Sequence, residues 1–436
     1  MVTARVAPEV VRRWRAGLAR CIRCGTCRSV CPVLEATGDE SGAARGKMRL
    51  VEAVVRGELD LTRGMQERFS RCLLCKACTA ACPSGVPTDA LIVSARTALA
   101  RENALALARR VAFTGLRYRR VFEAGLRLGA LFQRAVFRPA PDGPGRLPRI
   151  PLPSAGLHAR RLVPELARRP LRALLRELAP LPHPRARVAF FPGCMLTWVY
   201  PEAGLAVVRL LRANGIEPVV PEEIGCCGVP AATSGDAATG ALLAAANVAA
   251  LSAGSFDAVV TACGSCGAAL AHDYGETLAD PAARERWRAL SAKVRDVTSF
   301  LAEVGLTAPL GPVPERVTYH DPCHLARGMG VTREPRALLR QVPGLTLAEM
   351  KEPARCCGAG GTFSLSHYEL SRRIGDRKLD DVAGTGAALV VTGCSACRMH
   401  MADGIRQRGE ALRVVHTAEV LARSVDAAAG REARHG

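Results

Sequence analysis

Eighteen cysteines in recurring groups constrain this 436-residue chain more than any other feature of its sequence. Eight lie within the first 100 residues, in two copies of the pattern C-x2-C-x2-C-x3-C-P. The other ten follow residue 190, in two copies of the pattern C…CCG…CxxC. The two-residue spacers of the first pattern wrap a tight loop that can bring three sulfur atoms to three irons of a cubane. The cysteine pattern therefore predicts an iron–sulfur protein with several metal centres.

The first pattern begins at Cys21 and recurs at Cys72. In proteins with two such motifs, the fourth cysteine of each motif binds the cluster of the other. We therefore expect two [4Fe–4S] clusters, which define two groups of ligands. The first set is Cys21, Cys24, Cys27 and Cys82, and the second set is Cys72, Cys75, Cys78 and Cys31. A pair of zinc sites is disfavoured, because zinc usually takes two separated cysteine pairs and needs neither a triplet nor a following proline.

The ten remaining cysteines form an internal duplication, in which matching cysteines lie 129 to 131 positions apart. The first CCG site is Cys194, Cys226, Cys227, Cys263 and Cys266, and the second CCG site is Cys323, Cys356, Cys357, Cys394 and Cys397. Short β-type runs such as ARVAFFPGC and RVTYHDPC end at a cysteine, and helix-like segments follow. This alternation predicts a parallel α/β sheet in each copy, with the cysteines at the carboxyl ends of the strands. The helix N-termini there would stabilise an anionic cluster.

These patterns predict a multi-domain chain. An α-helical ferredoxin domain is expected over residues 1–100, because the segment between the two motifs has helical spacing. A basic helix and proline-rich linker should follow over 101–185, and two α/β cysteine-rich domains over 186–313 and 314–425. The linker holds 11 of the 28 prolines, which favours an extended, semi-rigid segment. Arginines and apolar residues alternate over 101–138, so this helix either lies on an anionic membrane surface or packs on a neighbouring domain.

The formal charge of +20 favours anionic partners, and no DNA-binding motif accompanies it, so no nucleic acid is expected as a partner. No run of 18 apolar residues predicts a membrane span, and the N-terminal stretch lacks the apolar core of a signal peptide. We therefore expect a cytoplasmic protein, with the basic helix as its candidate for peripheral contact with the inner face of the cell membrane. In such a reducing compartment, thiols bind metals more often than they form disulfides.

Over nearly the whole chain, the order of these motifs resembles the glycolate oxidase iron–sulfur subunit family. The runs HDPCHLARG at 320–328, RCCGAGGTF at 355–363 and GCSACRM at 393–399 look particularly like this group. The chain is also similar to iron–sulfur proteins of lactate utilisation and to the iron–sulfur subunit of anaerobic glycerol-3-phosphate dehydrogenase. Each duplicated half resembles the CCG domain of heterodisulfide reductase, in which five such cysteines hold a non-cubane [4Fe–4S] cluster. The resemblance implies one such cluster in each half, while zinc, an ordinary cubane or no metal in one half stays open.

The resemblance implies a non-catalytic subunit that carries electrons from an FAD-linked oxidase flavoprotein, with glycolate as the first candidate substrate of the complex and lactate as the second. The acceptor would be a quinone or another membrane carrier. No flavin or nicotinamide fingerprint occurs in the chain, so a cofactor-bearing partner must oxidise the hydroxy acid. The alternatives are a catalytic subunit that reduces a disulfide at non-cubane clusters, a carrier of the glycerol-3-phosphate dehydrogenase type and, more weakly, a zinc-dependent scaffold.

Two histidines flank Cys323 and raise the question of cysteine–histidine chemistry. The repeat already assigns Cys323 as a metal ligand, which disfavours a role as nucleophile. We expect His324 instead to donate a hydrogen bond to a cluster sulfur.

Overall fold

The computed structural model describes residues 6–141, 143–153 and 156–430. The ferredoxin region is helical, as predicted. Its helices are α1 (Pro8–Ala19), α2 (Thr26–Ser29), α3 (Pro32–Thr37), α4 (Ala44–Arg56), α5 (Arg63–Ser70), α6 (Ala77–Ala80) and α7 (Thr88–Asn103), with a 3₁₀ turn at Glu40–Gly42. Long helices α1, α4 and α7 bury Trp14, Val51 and Leu91 in a shared core, whereas α2 and α6 are single turns inside the cysteine motifs.

The described residues of the segment predicted as a basic helix and linker form three helices and a short hairpin. Its elements are α8 (Leu107–Arg117), α9 (Arg119–Val136), β1 (Phe137–Pro139), β2 (Arg146–Pro148) and α10 (Leu171–Leu175). Positions 142, 154 and 155 of this segment lie outside the described residues. The Arg117 guanidinium donates to Thr239 Oγ1 over 2.7 Å, and Gln133 exchanges two 2.9 Å hydrogen bonds with the backbone of Leu166. One side of α8 and α9 is therefore fixed against the rest of the chain.

The first duplicated half is a parallel four-stranded sheet with helices on its faces. Its elements are β3 (Ala186–Phe191), α11 (Gly193–Trp198), α12 (Pro201–Ala213), β4 (Ile216–Val219), α13 (Val229–Ser234), α14 (Ala237–Ser252), β5 (Ala258–Thr261), α15 (Gly264–Ala268), a π-helical turn (Ala269–Asp273), α16 (Tyr274–Thr277), α17 (Pro281–Ser291), β6 (Val294–Asp296) and α18 (Val297–Val304). The strand order is β4-β3-β5-β6. Helices on both faces explain why β5 is buried along its whole length.

The second half repeats this topology. Its elements are β7 (Arg316–His320), α19 (Cys323–Met329), α20 (Arg333–Leu339), β8 (Thr346–Leu347), α21 (Phe363–Ser366), α22 (Tyr368–Ala383), β9 (Leu389–Thr392), α23 (Ser395–Arg408), β10 (Arg413–His416) and α24 (Thr417–Ala428). The strand order β8-β7-β9-β10 matches that of the first half. The predicted pair of parallel α/β sheets is confirmed, and in both halves the central strands end just before a cysteine, as predicted.

The halves meet at the carboxyl ends of their central strands, which brings their CxxC motifs together. The Gly264 N–H donates to the Gly393 carbonyl over 3.1 Å. A methyl group on Gly264 would lie 2.9 Å from the backbone nitrogen of Leu325, so only glycine allows this close approach. The ferredoxin region docks beside this junction, where Arg96 of α7 donates to the carbonyls of Cys72 (2.6 Å) and Thr233 (2.7 Å).

Candidate metal centres

The two loops that carry the ferredoxin motifs have the same backbone shape. Arg23 and Leu74 occupy matching positions with φ values of 59° and 53°, and Gly25 and Lys76 match at 85° and 60°. A left-handed conformation costs a non-glycine residue roughly 1–2 kcal/mol. These tight turns therefore need a compensating interaction, which a cluster bound by the surrounding thiolates would supply.

The first set of cysteines lies near the surface. Cys21 and Cys24 are exposed, and Cys27 and Cys82 are half-buried. Burial, followed by the like charges of Cys21, Cys24 and Cys82, raises the pKa of Cys27. The structure thus brings Cys82, from the second motif, to the first three cysteines. Their assignment as cluster ligands remains a prediction.

The second set lies deeper in the protein. Burial, followed by the thiolates of Cys72, Cys75 and Cys31, raises the pKa of Cys78 strongly. Cys31 of the first motif therefore lies with the three cysteines of the second. Because each motif contributes one thiol to the other set, the two sets lie side by side.

Buried or half-buried lysines accompany the cysteine sites. Lys47 is 1% exposed and hydrogen-bonds to the Gly42 carbonyl beside the second set. Burial lowers the pKa of Lys47, and the neighbouring thiolates of Cys72 and Cys31 oppose that effect. Lys76, inside the second motif, forms ion pairs with Asp89 and Asp273. A buried ammonium group beside several thiolates offsets their negative charge and so favours anionic clusters there.

Lys378 has the same role in the second CCG site. It is fully buried, and its ammonium group donates to the Glu352 carbonyl over 2.6 Å with Met350 Sδ at 3.1 Å. Burial lowers the pKa of Lys378, while Asp381 and Cys357 favour its charged form. Sequence reasoning missed this role. A signal was present, because only five of the 60 basic residues are lysine and three of the five lie at cysteine sites.

The first CCG site is a buried group of interacting thiols. Hydrogen bonds from Cys194 and then Cys227 lower the pKa of Cys226 well below its usual value. Two further side chains hold this double-cysteine turn from outside. The Tyr274 hydroxyl donates to the Cys227 carbonyl over 2.9 Å, and the Asn247 amide donates to the Cys226 carbonyl over 2.9 Å. A depressed thiol pKa favours the thiolate, which is the form that binds iron.

The second CCG site has the same set of thiols in a different setting. Hydrogen bonds from Cys356 and then Cys397 lower the pKa of Cys357. Gly358 follows with φ of 91°, and a methyl group there would lie 2.4 Å from the Ser371 carbonyl. The glycine-rich run after the double cysteine thus permits close backbone packing.

The second ferredoxin set touches the second CCG site. A hydrogen bond between the thiols of Cys75 and Cys356, together with burial, raises the pKa of Cys75 well above its usual value. Arg327 donates to the Cys75 carbonyl over 3.0 Å. His324 was expected to donate to a cluster sulfur, but its Nε2 lies 3.0 Å from the carbonyl of Leu74, within the second motif. This ring nitrogen therefore positions the ferredoxin loop against the CCG site.

The two CCG sites also touch each other. Hydrogen bonds from Cys263 of the first half and then Cys397 lower the pKa of Cys394. The Ser265 hydroxyl lies 4.0 Å from the same Cys394 sulfur. The structure thus brings the predicted cysteines into four neighbouring groups. The chemistry of these donors fits iron, because grouped thiolates are typical ligands of iron–sulfur clusters.

Comparison with protein families agrees with this arrangement. Residues 17–86 match the 4Fe-4S dicluster domain, and residues 188–271 and 317–402 each match the cysteine-rich CCG domain. The first match supports two [4Fe–4S] clusters in the ferredoxin region. The two CCG matches each cover three of the four strands of one sheet and suggest further metal sites.

Relatives of known name cover most of the chain. The probable glycolate oxidase iron-sulfur subunit of Bacillus subtilis (strain 168) is 33% identical over 417 residues, 93% of each chain. The glycolate oxidase iron-sulfur subunit of Escherichia coli (strain K12) is 28% identical over 89% of this chain and 91% of its own length. Lactate utilization protein A of Halalkalibacterium halodurans is 34% identical over 54% of this chain and 96% of its own length.

Among solved structures, a hypothetical protein from Helicobacter pylori has a similar fold. The TM-score is 0.51 at 8% identity, over 96% of this chain and 76% of the other. At that identity, the similarity concerns the fold alone.

Proposed function

The chain belongs to the glycolate oxidase iron–sulfur subunit family, and on that premise we propose that it relays electrons from a flavoprotein oxidising a 2-hydroxy acid to a quinone or another membrane acceptor. Glycolate is the first candidate substrate of the complex, and lactate the second. Bound clusters supply one-electron carriers, which can divide the electron pair of a flavin. The ligands would be the 18 cysteines of the four groups, with a non-cubane cluster in each CCG site.

The observation that carries this proposal is the continuous series formed by the four cysteine groups. The first set lies beside the second, because Cys31 and Cys82 cross between them. The second set reaches the second CCG site through Cys75 and Cys356. A storage or scaffold role would not require this unbroken order from a surface-exposed set to the largely buried CCG sites.

The exposed end of the series is the proposed entry point for electrons. Cys21 and Cys24 are exposed, and Ile22 between them is 68% exposed. Arg20 and Arg23 are also exposed beside them. A flavoprotein partner with an acidic face around its cofactor would fit this basic rim.

A cleft of about 340 Å³ between the ferredoxin region and the first CCG half supports an acceptor site. Its walls include Val10 and Val93 on one side and Val229 on the other, with Cys227 and Lys76 at polar positions. An apolar cleft with few polar groups suits a quinone headgroup. Its contact with Cys227 also favours the second candidate function, direct reduction of a small disulfide at a CCG site.

The test uses the chain purified anaerobically with and without an FAD-linked oxidase flavoprotein. Our proposal expects glycolate to bleach the brown absorbance only when the flavoprotein is present, and a soluble quinone analogue to restore the colour. Reduction of a heterodisulfide by the chain alone, with dithionite as electron donor, would favour the second candidate. Fewer than about twelve irons per chain would exclude four complete clusters.

The outer face of α8 and α9 supports contact with a membrane. An apolar stripe runs along it, each side chain being at least 55% exposed: Leu107, Val111, Val121, Leu128, Leu131, Phe132 and Val136. Exposed Arg120, Arg127 and Arg134 follow the α9 part of this stripe at intervals of seven residues. No helix in the described residues is long and apolar enough to span a bilayer. We propose that the stripe lies in the interface of an anionic membrane, where a quinone acceptor would be available.

The double variant Leu128→Ser/Phe132→Ser should lose membrane binding. Fully burying such a side chain contributes about 1.5–3 kcal/mol, so the partition coefficient should fall at least tenfold. Flotation of the protein with anionic vesicles measures this partition coefficient. A matched control is Leu242→Ser/Leu365→Ser, which removes two exposed leucines (56% and 46%) outside the stripe. Equal flotation of both variants would refute the membrane assignment.

A further inference from the structure

The second CCG site contains a buried histidine with free ring nitrogens. His320 is 0% exposed, and neither of its ring nitrogens makes a hydrogen bond within the described part of the chain. The Pro353 carbonyl accepts a hydrogen bond from the Asp321 N–H over 3.1 Å and also lies close enough to interact with one nitrogen of the His320 ring, which leaves the other nitrogen for a ligand. A buried polar ring without hydrogen-bond partners is energetically unfavourable. A metal ion bound to one of its nitrogens would remove this cost.

The imidazole lies among the thiols of this site. One ring nitrogen of His320 and the sulfur atoms of Cys357 and Cys397 all lie within 4.8 Å of one another. Ligand atoms around one tetrahedral metal ion are separated by about 3.5 Å, as metal–sulfur and metal–nitrogen bonds of this class imply. A small adjustment would therefore bring all three donors onto one metal ion.

The first half offers a built-in comparison. In the sheets, His320 pairs with Thr392, and Phe191 pairs with Thr261. Both pairs close the carboxyl end of the central strands, so Phe191 stands where the second half has His320. The five cysteines are duplicated, but this neighbour is not. A ligand role for the histidine would therefore apply to the second CCG site alone.

We propose that His320 is an imidazole ligand of the iron held by Cys357 and Cys397, so that the second CCG site has mixed nitrogen and sulfur ligands. The first CCG site has phenylalanine at the matching position and would be ligated by thiolates alone. The inference rests on the proposed function in one respect, that the second site holds iron. Replacing part of an all-thiolate environment by a neutral imidazole makes the site electronically distinct from the first, as it does in other iron–sulfur centres.

The test measures nitrogen coupling at the cluster in the native protein. The full chain is prepared anaerobically with ¹⁴N- or ¹⁵N-histidine and titrated with dithionite, and each paramagnetic state is studied by pulsed electron paramagnetic resonance. We expect a strong coupling that changes with the isotope, in the range of directly bound imidazole. This measurement needs no variant, so a folding defect cannot obscure it.

Two variants assign the signal to its residue. His320→Phe, which installs the residue of the first half, should abolish the strong coupling. His324→Gln should retain it, because the group of ligand atoms that lie within 4.8 Å of one another contains His320 and not His324. Absence of a strong isotope-sensitive coupling in the native protein, or its persistence in His320→Phe, overturns the ligand assignment. The iron content of each sample is measured separately. A low iron content would show that the four clusters of the proposed function are absent, whereas a full iron content without the strong coupling would show that His320 lines the site without binding iron.

Discussion

Electron transfer from the ferredoxin sets to the CCG sites should fail when Cys75 is replaced by serine. Cys75 belongs to the second set, and its thiol lies beside Cys356 of the second CCG site, which raises the pKa of Cys75. A serine hydroxyl is a poor substitute for a thiolate ligand of iron, so both the set and its contact with the next site are damaged. Because even outer partners of metal ligands affect activity 10–100-fold, we expect turnover of the complex to fall by about a hundredfold or more.

Rapid freeze-quench spectroscopy after mixing with the glycolate-reduced flavoprotein would measure this transfer. The first set should still become reduced in Cys75→Ser, while both CCG sites stay oxidised. Ala77→Ser, a small change in the same loop that keeps all thiols, is the matched control and should transfer normally. Cys194→Ser, at the other end of the series, should stop transfer only at the first CCG site. Normal reduction of both CCG sites in Cys75→Ser would show that the proposed order is wrong.

Removing iron and sulfide should unfold the ferredoxin region while the two α/β halves keep their sheets. The motif loops hold Arg23, Leu74 and Lys76 in left-handed conformations, and binding of metal is the interaction that would offset this strain. The two halves instead share large apolar cores that need no metal, such as the one that contains Val188 and Val260 of the first half and Leu421 of the second. Because the free energy of metal binding is part of the folding free energy of such a domain, the region without its two clusters should be unfolded at room temperature.

Hydrogen exchange resolves the two parts of the chain in one experiment. Amides of α4 and α7 should lose protection in the iron-free protein, while those of β5 and β9 keep it. Reconstitution with iron and sulfide should restore the protection, which controls for irreversible damage. Unchanged protection of α4 and α7 without iron would mean that packing around Trp14 alone suffices to hold the region.

The sequence by itself determined which side chains can bind metal, how they are grouped along the chain and which strands and helices carry them. Spacing within C-x2-C-x2-C-x3-C-P is a local property, and so is the sequence of short buried runs that end at Cys194 and Cys323. Strand periodicity and the equal spacing of the two halves were therefore enough to predict duplicated parallel sheets with cysteines at their carboxyl ends. The resemblance to a known family supplied the proposed electron-transfer role, and the chain's relatives support it.

Only the tertiary structure decided which groups are neighbours and what surrounds them. Contact between Cys75 and Cys356, or between Cys263 and Cys394, joins residues more than 100 positions apart, and no local pattern encodes such a pairing. Burial of Lys47 likewise depends on how several helices pack. The free ring nitrogens of His320 have the same origin, because unpaired groups become visible only when every neighbour is placed. The ligands of each cysteine motif are set by spacing within a few residues, so the local sequence is enough to identify them. The charges that compensate the thiolates, and the order in which the four groups of cysteines lie, depend on packing between distant parts of the chain.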